Sequence, residues 1–264
     1  MKLGFIGTGN MASAIMGGII SKQIVAPSDI TGSDVFAPGR ERVQKEYGIN
    51  VTPDNKEVVA ASDIIILSVK PQYYSDVIHE IRDIVTPEKI FITIAPGKTL
   101  EWLAGQFEKD VKIVRTMPNT PALVREGMTA ACANAHITEE DKAVVTEILS
   151  SFGKVEFVSE NLMDVVVAVS GSSPAYVFMM IEAMGDEAVA GGMPRAMAYK
   201  FAAQAIMGSA KMVLETGKHP AELKDMVCSP AGTTIAAVHE LEKNNFRTAL
   251  KEAMEKCEEV SRSL

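Results

Sequence analysis

Cysteine is scarce in this chain, and long uninterrupted apolar runs are missing. The three cysteines, Cys132, Cys228 and Cys257, lie far apart and show no CxxC spacing. An odd number of scattered thiols is typical of a reducing compartment and argues against a disulfide framework. No apolar run reaches the length needed to span a bilayer, and glycines interrupt the apolar N-terminus where a signal peptide would lie. We therefore expect a cytoplasmic protein without a membrane segment.

Positive charge and histidine are also in short supply. The 26 Lys and Arg residues are outnumbered by 34 Asp and Glu residues, which gives a formal net charge of −8. A nucleic-acid partner would require a basic face, so none is expected. The four histidines do not cluster at metal-ligand spacing, and no Ser/His/Asp order with a nucleophile elbow is present. The sequence therefore offers no metal site and no hydrolytic triad.

The N-terminus carries a dinucleotide-binding fingerprint. Lys2–Ala12 reads KLGFIGTGNMA, a short apolar strand that turns directly into a helical run. In this motif Gly7 permits the tight turn, Gly9 lets a pyrophosphate approach the backbone, and Ala12 keeps the helix close to the strand. A glycine-rich turn without a ligand is the alternative. The predicted cofactor contacts here are Ile6, Gly7, Thr8, Gly9, Asn10 and Met11.

Strand and helix patterns alternate through the N-terminal half, which predicts a doubly wound parallel sheet of Rossmann type. The strand candidates after Leu3–Ile6 are 30–34, 64–69, 90–94, 112–115 and 155–158, and an apolar run covers 128–133. Parallel strands gather their carboxyl ends at one edge, where the ligand of such a sheet binds. Besides the fingerprint, the predicted cofactor contacts at this edge are Ser33, Asp34, Asn55, Val69, Lys70, Pro71, Ala95, Pro96 and Gly97.

The second strand bears on the choice of cofactor. Asp34 ends it, and an acid there commonly bonds the ribose 2′-hydroxyl of NAD. Arg40 and Arg42 follow a Pro38-Gly39 loop, however, and could hold a 2′-phosphate instead. A solvated helix start is the other interpretation of both arginines. We expect NADPH as cofactor and NADH as usable.

The segment Arg115–Pro121 reads RTMPNTP, in which two prolines hold an extended, rigid turn. At the carboxyl edge of the sheet, Asn119 could offer its amide to the nicotinamide pocket. A rigid domain linker is an equally good interpretation of the same residues.

Helical patterns alone follow from Asn161 onward. The stretch PAYVFMMIEAMGDEAVA is apolar on nearly all faces, and a helix of that kind is buried. A domain of about 100 residues has little interior in which to bury several such helices. We therefore predict an α/β NAD(P)-binding domain over residues 1–160 and an all-helical substrate-binding and dimerisation domain over 161–264, with a second subunit covering its helices.

The stretch Asp225–Leu241, DMVCSPAGTTIAAVHEL, combines a loop of small and hydroxyl residues with an amphipathic helix. Free N–H groups near Gly232, Thr233 and Thr234 would attract a small carboxylate at the positive end of the helix dipole. An ordinary helix start, capped by Ser229 or Thr233, is the alternative.

Several long blocks in this order resemble the pyrroline-5-carboxylate reductase family from end to end. They are GFIGTGNMA, SVKP at Ser68–Pro71, MPNTPALV at Met117–Val124, SGSSPAYVF at Ser170–Phe178, GGMPRAMAYKFAAQ, GSAKMVLETG and LKDMVCSPAGTTIAAVHELE. Two positions depart from the family pattern. Ala231 replaces the first glycine of a loop that usually reads SPGGTT, and Pro96 replaces the middle residue of Ala-Ala-Gly.

The resemblance implies reduction of L-1-pyrroline-5-carboxylate to L-proline by NAD(P)H, the last step of proline biosynthesis. It further implies that backbone N–H groups near Gly232, Thr233 and Thr234 hold the substrate carboxylate, while the Thr234 hydroxyl approaches the ring nitrogen. Thr234 is thus the predicted catalytic residue, and Met226 and Glu160 are further candidates for substrate contact. The family also builds its active site at a homodimer interface of interleaved helices and forms larger assemblies of dimers.

Two other functions fit parts of the sequence. A β-hydroxyacid dehydrogenase has the same two-domain plan, but it places a catalytic lysine on the long helix where this chain has SGSSPAYVF. A non-catalytic NAD(P)H sensor would need no intact Pro230–Thr234 loop.

Overall fold

An eight-stranded sheet forms the centre of the first unit in the computed structural model, which describes residues 1–263. The strand order is β3-β2-β1-β4-β5-β6-β7-β8, and every neighbouring pair is parallel except β6 with β7. The strands are β1 (Leu3–Ile6), β2 (Ile30–Ser33), β3 (Asn50–Thr52), β4 (Ile64–Leu67), β5 (Ile90–Thr93), β6 (Lys112–Met117), β7 (Gly127–Ala133) and β8 (Gly153–Phe157).

Helices cover both faces of this sheet. They are α1 (Asn10–Ser21), α2 (Ala37–Tyr47), α3 (Asn55–Ala61), α4 (Tyr74–Ile81), α5 (Leu100–Phe107) and α6 (Glu139–Leu149). One apolar core packs α1 and α6 against the sheet, and a second packs α3, α4 and α5 against the opposite face. Because β4 is buried on both sides, its sequence is the continuous apolar run IIIL. Thr138 caps α6 and forms a capping box with Asp141.

The strand order reverses beside β1, whose neighbours are β2 and β4. In open parallel sheets the ligand crevice lies outside the carboxyl ends of the strands at such a switch point. The loops after β1, β2, β4 and β5 therefore share one edge of the first unit.

The second unit is entirely helical. The chain divides into one compact unit from Met1 to Ser172, completed by the segment that begins at Cys257, and another from Ser173 to Lys256. The remaining helices are α7 (Met163–Val166), α8 (Ser173–Ala190), α9 (Arg195–Thr216), α10 (Pro220–Val227), α11 (Thr233–Lys243) and α12 (Phe246–Arg262). The predicted fold class, an α/β Rossmann-type domain followed by an all-helical region, is confirmed. The functional boundary at residue 160 stays a prediction.

Large apolar side chains are exposed along α8 and α9. Phe178 is 61% exposed and Met179 is 70% exposed on α8, while Phe201 is 64% exposed on α9. Exposed apolar area of this extent usually marks an interaction surface. The single chain therefore leaves unburied the residues that the sequence predicts to be covered by a second subunit.

The expectation that no segment is long enough to span a bilayer is wrong. A helical stretch of 31 residues, Glu160–Ala190, satisfies that test by length and composition alone. Small and hydroxyl residues at Ser170–Ser173 divide the apolar run in the sequence. The helix nevertheless continues through a π-helical turn at Val167–Gly171, which joins the two halves. Such a helix is weak evidence for a membrane, because a helix covered by a partner subunit has the same composition.

Candidate active site and cofactor loop

Gly7 makes the turn that ends β1. Its φ is +99°, a region that glycine enters at low cost, and its N–H donates to the carbonyl of Ser33 at 2.8 Å. A Cβ at this position would lie 2.8 Å from the backbone of Ser68, the first residue after β4. The turn therefore requires glycine for two reasons: its backbone conformation and its close approach to β4.

Gly9 differs from Gly7 because its surroundings are open. A Cβ at Gly9 would meet no atom within 4 Å. The residue is the N-cap of α1, with φ −70° and no side-chain cap. Gly9 thus leaves free space at the N-terminus of α1, where an anion site requires it. Ala12, only 1% exposed, packs the helix against the sheet as the motif predicts.

The other predicted contacts of this loop have different exposures. Ile6 and Thr8 are each 1% exposed, so their side chains belong to the interior. Met11 is half-buried and Asn10 is exposed beside Gly9. Contact of these residues with a dinucleotide stays a prediction.

Asp34 directs both carboxylate oxygens at backbone N–H groups. Oδ2 accepts from the N–H of Thr8 at 2.8 Å and from its hydroxyl at 3.1 Å, while Oδ1 accepts from the N–H of Phe36 at 3.0 Å. The carboxylate of Asp34 therefore organises the turn after β1 in this structure.

Ser33 and Asn55 form a polar chain beneath this edge. Ser33 is fully buried, and its hydroxyl donates to Oδ1 of Asn55 at 2.7 Å. Nδ2 of Asn55 in turn donates to Glu80 at 2.7 Å. Both residues stay predicted cofactor contacts, but a nucleotide would have to compete with these bonds.

Two arginines on α2 approach the same turn. Nη1 of Arg40 donates to the carbonyl of Asp34. Nη2 of Arg42 donates to the carbonyl of Thr8 at 2.8 Å and to the hydroxyl of Ser13 at 3.0 Å. Both arginines therefore bind backbone at the loop, although the Arg42 side chain is still 44% exposed at the start of the helix.

The loops after β4 and β5 lie at the same sheet edge and are joined by one buried hydroxyl. Tyr74 is fully buried, and its hydroxyl donates to the carbonyl of Leu67 and accepts from the N–H of Ile94 at 3.3 Å. Burial raises the pKa of this phenol, so it stays a neutral hydrogen-bonding group.

The predicted contacts in these two loops keep their places at the edge. Val69 and Pro71 are half-buried and Lys70 is exposed after β4. After β5, Ala95 is buried, Pro96 is half-buried, and Gly97 adopts φ +75°.

Asn119 uses both ends of its amide within the first unit. Nδ2 donates to the carbonyl of Ser170 at 2.9 Å, and Oδ1 accepts from the N–H of Met128 at 2.9 Å. The side chain is thus engaged in joining the end of β6 to β7 and to the π-helical turn. This arrangement favours the linker interpretation of RTMPNTP over an amide offered to nicotinamide.

One carboxylate oxygen of Glu160 accepts two hydrogen bonds from the first unit. Oε1 accepts from Nη1 of Arg115 at 2.9 Å and from the N–H of Leu100 at 2.7 Å. Glu160 therefore links Arg115 of β6 to the start of α5, and the Arg115 side chain in this pair is only 7% exposed. Burial raises the pKa of neighbouring Cys132 to about 12, which leaves a neutral thiol and no nucleophile. Substrate contact by Glu160 stays a prediction.

The loop before α11 is a tight turn in the second unit. The N–H of Gly232 donates to the carbonyl of Ser229 at 3.0 Å, and Ala231 lies between them at φ +55°. Proline in the second position and positive φ in the third are typical of a type II turn, where glycine is preferred. A Cβ on Gly232 would lie 2.2 Å from the Ser229 hydroxyl and 3.1 Å from the Ser229 carbonyl, so a larger residue there would force the serine side chain to rotate.

The helix that follows starts without a capping side chain. Gly232 is the N-cap of α11, and Thr233 and Thr234 are its first two residues. The alternative in which Ser229 or Thr233 caps the helix is therefore wrong. Thr233 is exposed, Thr234 is half-buried, and Met226 at the end of α10 is 62% exposed. The first-turn N–H groups of α11 are consequently available to an anion.

Sequence reasoning missed three supporting residues of these sites: Ser68, Tyr74 and Arg115. Each acts by a long-range hydrogen bond between strands or loops, and local periodicity carries no signal for such a contact. For residues 1–263, no group of three or more His, Cys, Asp or Glu side chains could hold a metal ion.

Comparisons with known proteins agree with both halves of this arrangement. The family model described as pyrroline-5-carboxylate reductase dimerisation matches residues 160–264. The model described as NADP oxidoreductase coenzyme F420-dependent matches residues 2–97. The pyrroline-5-carboxylate reductase of Escherichia coli strain K12 is 53% identical over 266 residues, covering 100% of this chain and 98% of that protein.

Two solved structures are similar over nearly the whole chain. A pyrroline-5-carboxylate reductase from Coxiella burnetii has a TM-score of 0.91 at 32% identity, with 99% of this chain and 97% of that one covered. The Plasmodium falciparum pyrroline carboxylate reductase with NADP bound also has a TM-score of 0.91, at 33% identity, with 100% and 97% covered.

Proposed function

Because the chain belongs to the pyrroline-5-carboxylate reductase family, we propose that it reduces L-1-pyrroline-5-carboxylate to L-proline, the final step of proline biosynthesis, by hydride transfer from NADPH. The observation that carries the proposal is sequence similarity over the full chain. The uncapped helix start at Gly232–Thr234 supports it, because it leaves N–H groups for a substrate carboxylate.

The substrate carboxylate binds at the start of α11 in this proposal. The first-turn N–H groups supply the donors, and the dipole of the helix adds positive potential at that end. Thr234 directs its hydroxyl to the ring nitrogen, and Met226 contributes apolar contact. The side chain of Glu160, bound to Arg115 in the first unit, is the weakest of the proposed substrate contacts.

The reaction needs little from the protein beyond position. A protonated cyclic imine is already electrophilic, so its carbon accepts hydride without a further acid. Placing two flat rings in contact lowers the barrier by fixing their approach in advance. A reaction of this kind requires no catalytic His or Lys.

The cofactor preference is proposed to be NADPH, with NADH also accepted. An NADP-bound relative and the NADP oxidoreductase model support the first part. Gly7, Gly9 and the first turn of α1 hold the pyrophosphate, and the loops of Val69–Pro71 and Ala95–Gly97 face the nicotinamide end. Arg40, which already binds the carbonyl of Asp34, is the proposed ligand of the 2′-phosphate.

The working unit is proposed to be a homodimer in the cytoplasm, with interleaved C-terminal helices and a capacity to form larger assemblies of dimers. The dimerisation match and the exposed apolar residues of α8 and α9 support this proposal.

A steady-state assay with pyrroline-5-carboxylate and each reduced cofactor tests the proposal. Oxidation of both cofactors with formation of proline, and a higher kcat/KM for NADPH, is the expected result. A β-hydroxyacid dehydrogenase would instead oxidise a small 3-hydroxy acid with NADP⁺. A sensor would bind NADPH with no turnover of any substrate, and either outcome would refute the proposal.

A further inference from the structure

The backbone and hydroxyl of Thr8 are held by side chains from two other elements. The N–H and the hydroxyl of Thr8 both bind Asp34 at the end of β2, and its carbonyl binds Arg42 of α2. The residue itself is 1% exposed, so water does not compete for these groups. Thr8 lies between the two glycines of the dinucleotide fingerprint.

These bonds fix two successive peptide groups. In the Gly7–Thr8 peptide, the N–H of Thr8 is bound by Asp34 and the carbonyl of Gly7 accepts from the Ser68 hydroxyl at 2.7 Å. In the Thr8–Gly9 peptide, Arg42 holds the carbonyl of Thr8 at 2.8 Å. A trans peptide is planar, so its N–H points opposite to its carbonyl. By binding one side, Arg42 sets the direction of the Gly9 N–H on the other.

Gly9 is the exposed end of this arrangement. Its Cβ position is open for 4 Å, and its N–H is the group that a pyrophosphate oxygen approaches in this motif. A donor that already points towards the ligand site does not have to reorient when the ligand binds. Holding Thr8 thus contributes to cofactor affinity without any contact between Arg42 and the cofactor.

The guanidinium of Arg42 already binds groups of the protein on both of its terminal nitrogens. Nη2 binds the carbonyl of Thr8 and the hydroxyl of Ser13 on α1, and Nη1 lies 3.5 Å from Oε2 of Glu46. Its charge is therefore shared between α1, α2 and the loop. A 2′-phosphate that captured it would release the loop on which the pyrophosphate depends.

We infer that Arg42 and Asp34 are positioning residues for the pyrophosphate loop, and that Arg42 is not a ligand of the 2′-phosphate. The inference rests on the proposed use of NADPH and deepens it. It also assigns to Asp34 a task other than binding the ribose 2′-hydroxyl, so this acid does not select NADH.

Two fragments of the cofactor separate these roles. ADP carries a pyrophosphate without a 2′-phosphate, and adenosine 2′-monophosphate carries a 2′-phosphate without a pyrophosphate. Dissociation constants for both fragments, NADPH and NADH are measured on the full chain by calorimetry. Lys45→Ala is the matched control, because it removes one positive charge from an exposed position on the same helix.

Arg42→Ala is expected to raise the dissociation constants of ADP, NADH and NADPH by a similar factor of about 5 to 30. This factor corresponds to the loss of a charge-assisted hydrogen bond that acts on the cofactor indirectly. Binding of adenosine 2′-monophosphate should not change. Arg42→Lys should recover part of the loss because it keeps one donor, and Lys45→Ala should match the wild type. Asp34→Ala should likewise weaken ADP and both dinucleotides together.

Selective loss of NADPH and adenosine 2′-monophosphate in Arg42→Ala would overturn the inference while leaving the proposed function intact. A selective loss of NADH affinity in Asp34→Ala would overturn the positioning role of Asp34. Wild-type protein that bound neither dinucleotide would contradict the proposed function, and the inference with it. A melting curve for each variant confirms that the folded protein is being compared.

Discussion

The N–H of Gly232 donates to the carbonyl of Ser229 at 3.0 Å, and this bond closes the turn that leads into α11. Between the two residues, Ala231 adopts φ +55°. An L-residue with a Cβ pays about 1–2 kcal/mol in that left-handed region. The departure from the usual SPGGTT pattern therefore strains the loop that is proposed to bind substrate.

Ala231→Gly should relieve that strain. Glycine loses about 0.5–1 kcal/mol through its greater freedom in the unfolded chain, so the expected net gain is about 0.5–1 kcal/mol. The melting temperature should rise by about 1–4 °C for a domain of this size. A Val replacement, which enters this region still less readily than Ala, should lower it. An unchanged or lower melting temperature in Ala231→Gly would mean that the turn is not strained.

Gly9→Val should abolish NADPH binding while the chain stays folded. The new side chain enters open space and the backbone there has φ −70°, which valine adopts without strain. It would instead occupy the volume that a pyrophosphate needs. Calorimetry measures the binding and circular dichroism the fold.

Gly7→Ala is the contrasting variant to Gly9→Val. Its Cβ would lie 2.8 Å from the backbone of Ser68 at φ +99°, so loss of stability is expected before any effect on the ligand. Normal NADPH affinity in folded Gly9→Val would contradict the assignment of the cofactor loop.

The sequence predicted the sheet well because its strongest signals are local. Apolar runs such as Ile64–Leu67 and the glycines at Gly7 and Gly9 identify strand and loop without further context. The three-residue strand β3 was not predicted, because Asn50–Thr52 is too short and too polar to stand out. The π-helical turn at Val167–Gly171 was also not predicted, because Ser170 and Gly171 look like a break between two helices.

The candidate site was harder to predict than the fold. The sequence places Ser33, Asp34 and Asn119 near strand ends, but the hydrogen-bond partners of these side chains are distant in sequence. Asp34 binds Thr8, 26 residues away, and Asn119 binds Ser170, 51 residues away. A residue type and a strand end indicate that a side chain is near an edge. They do not indicate whether it serves a ligand or the protein itself.

Phe178→Glu should prevent assembly of the dimer. Phe178 is 61% exposed on α8 within the dimerisation match, so a partner that covers it would have to bury a charge. Val124→Glu is the control, since Val124 is 72% exposed but lies outside that match. Sedimentation should show a monomer for the first variant and an unchanged dimer for the second. A dimeric Phe178→Glu would place the interface elsewhere.

Thr234→Ala should lower turnover but not NADPH affinity. Loss of one hydrogen bond to the ring nitrogen corresponds to about 1–3 kcal/mol, or about 5- to 150-fold in kcat. Because no side chain caps α11, the melting temperature should change little. Thr234→Ser, which keeps the hydroxyl, should retain most activity. Normal turnover per folded protein in Thr234→Ala would remove Thr234 from the catalytic account.

Transfer of deuterium from the nicotinamide to the product tests the central claim most directly. The wild-type chain is incubated with pyrroline-5-carboxylate and NADPH that carries deuterium at the transferred position of carbon 4, and the product is analysed by mass spectrometry. The account predicts L-proline with a single deuterium on carbon 5, formed in equal amount to the oxidised cofactor. Unlabelled proline, or cofactor oxidation without proline, would contradict it.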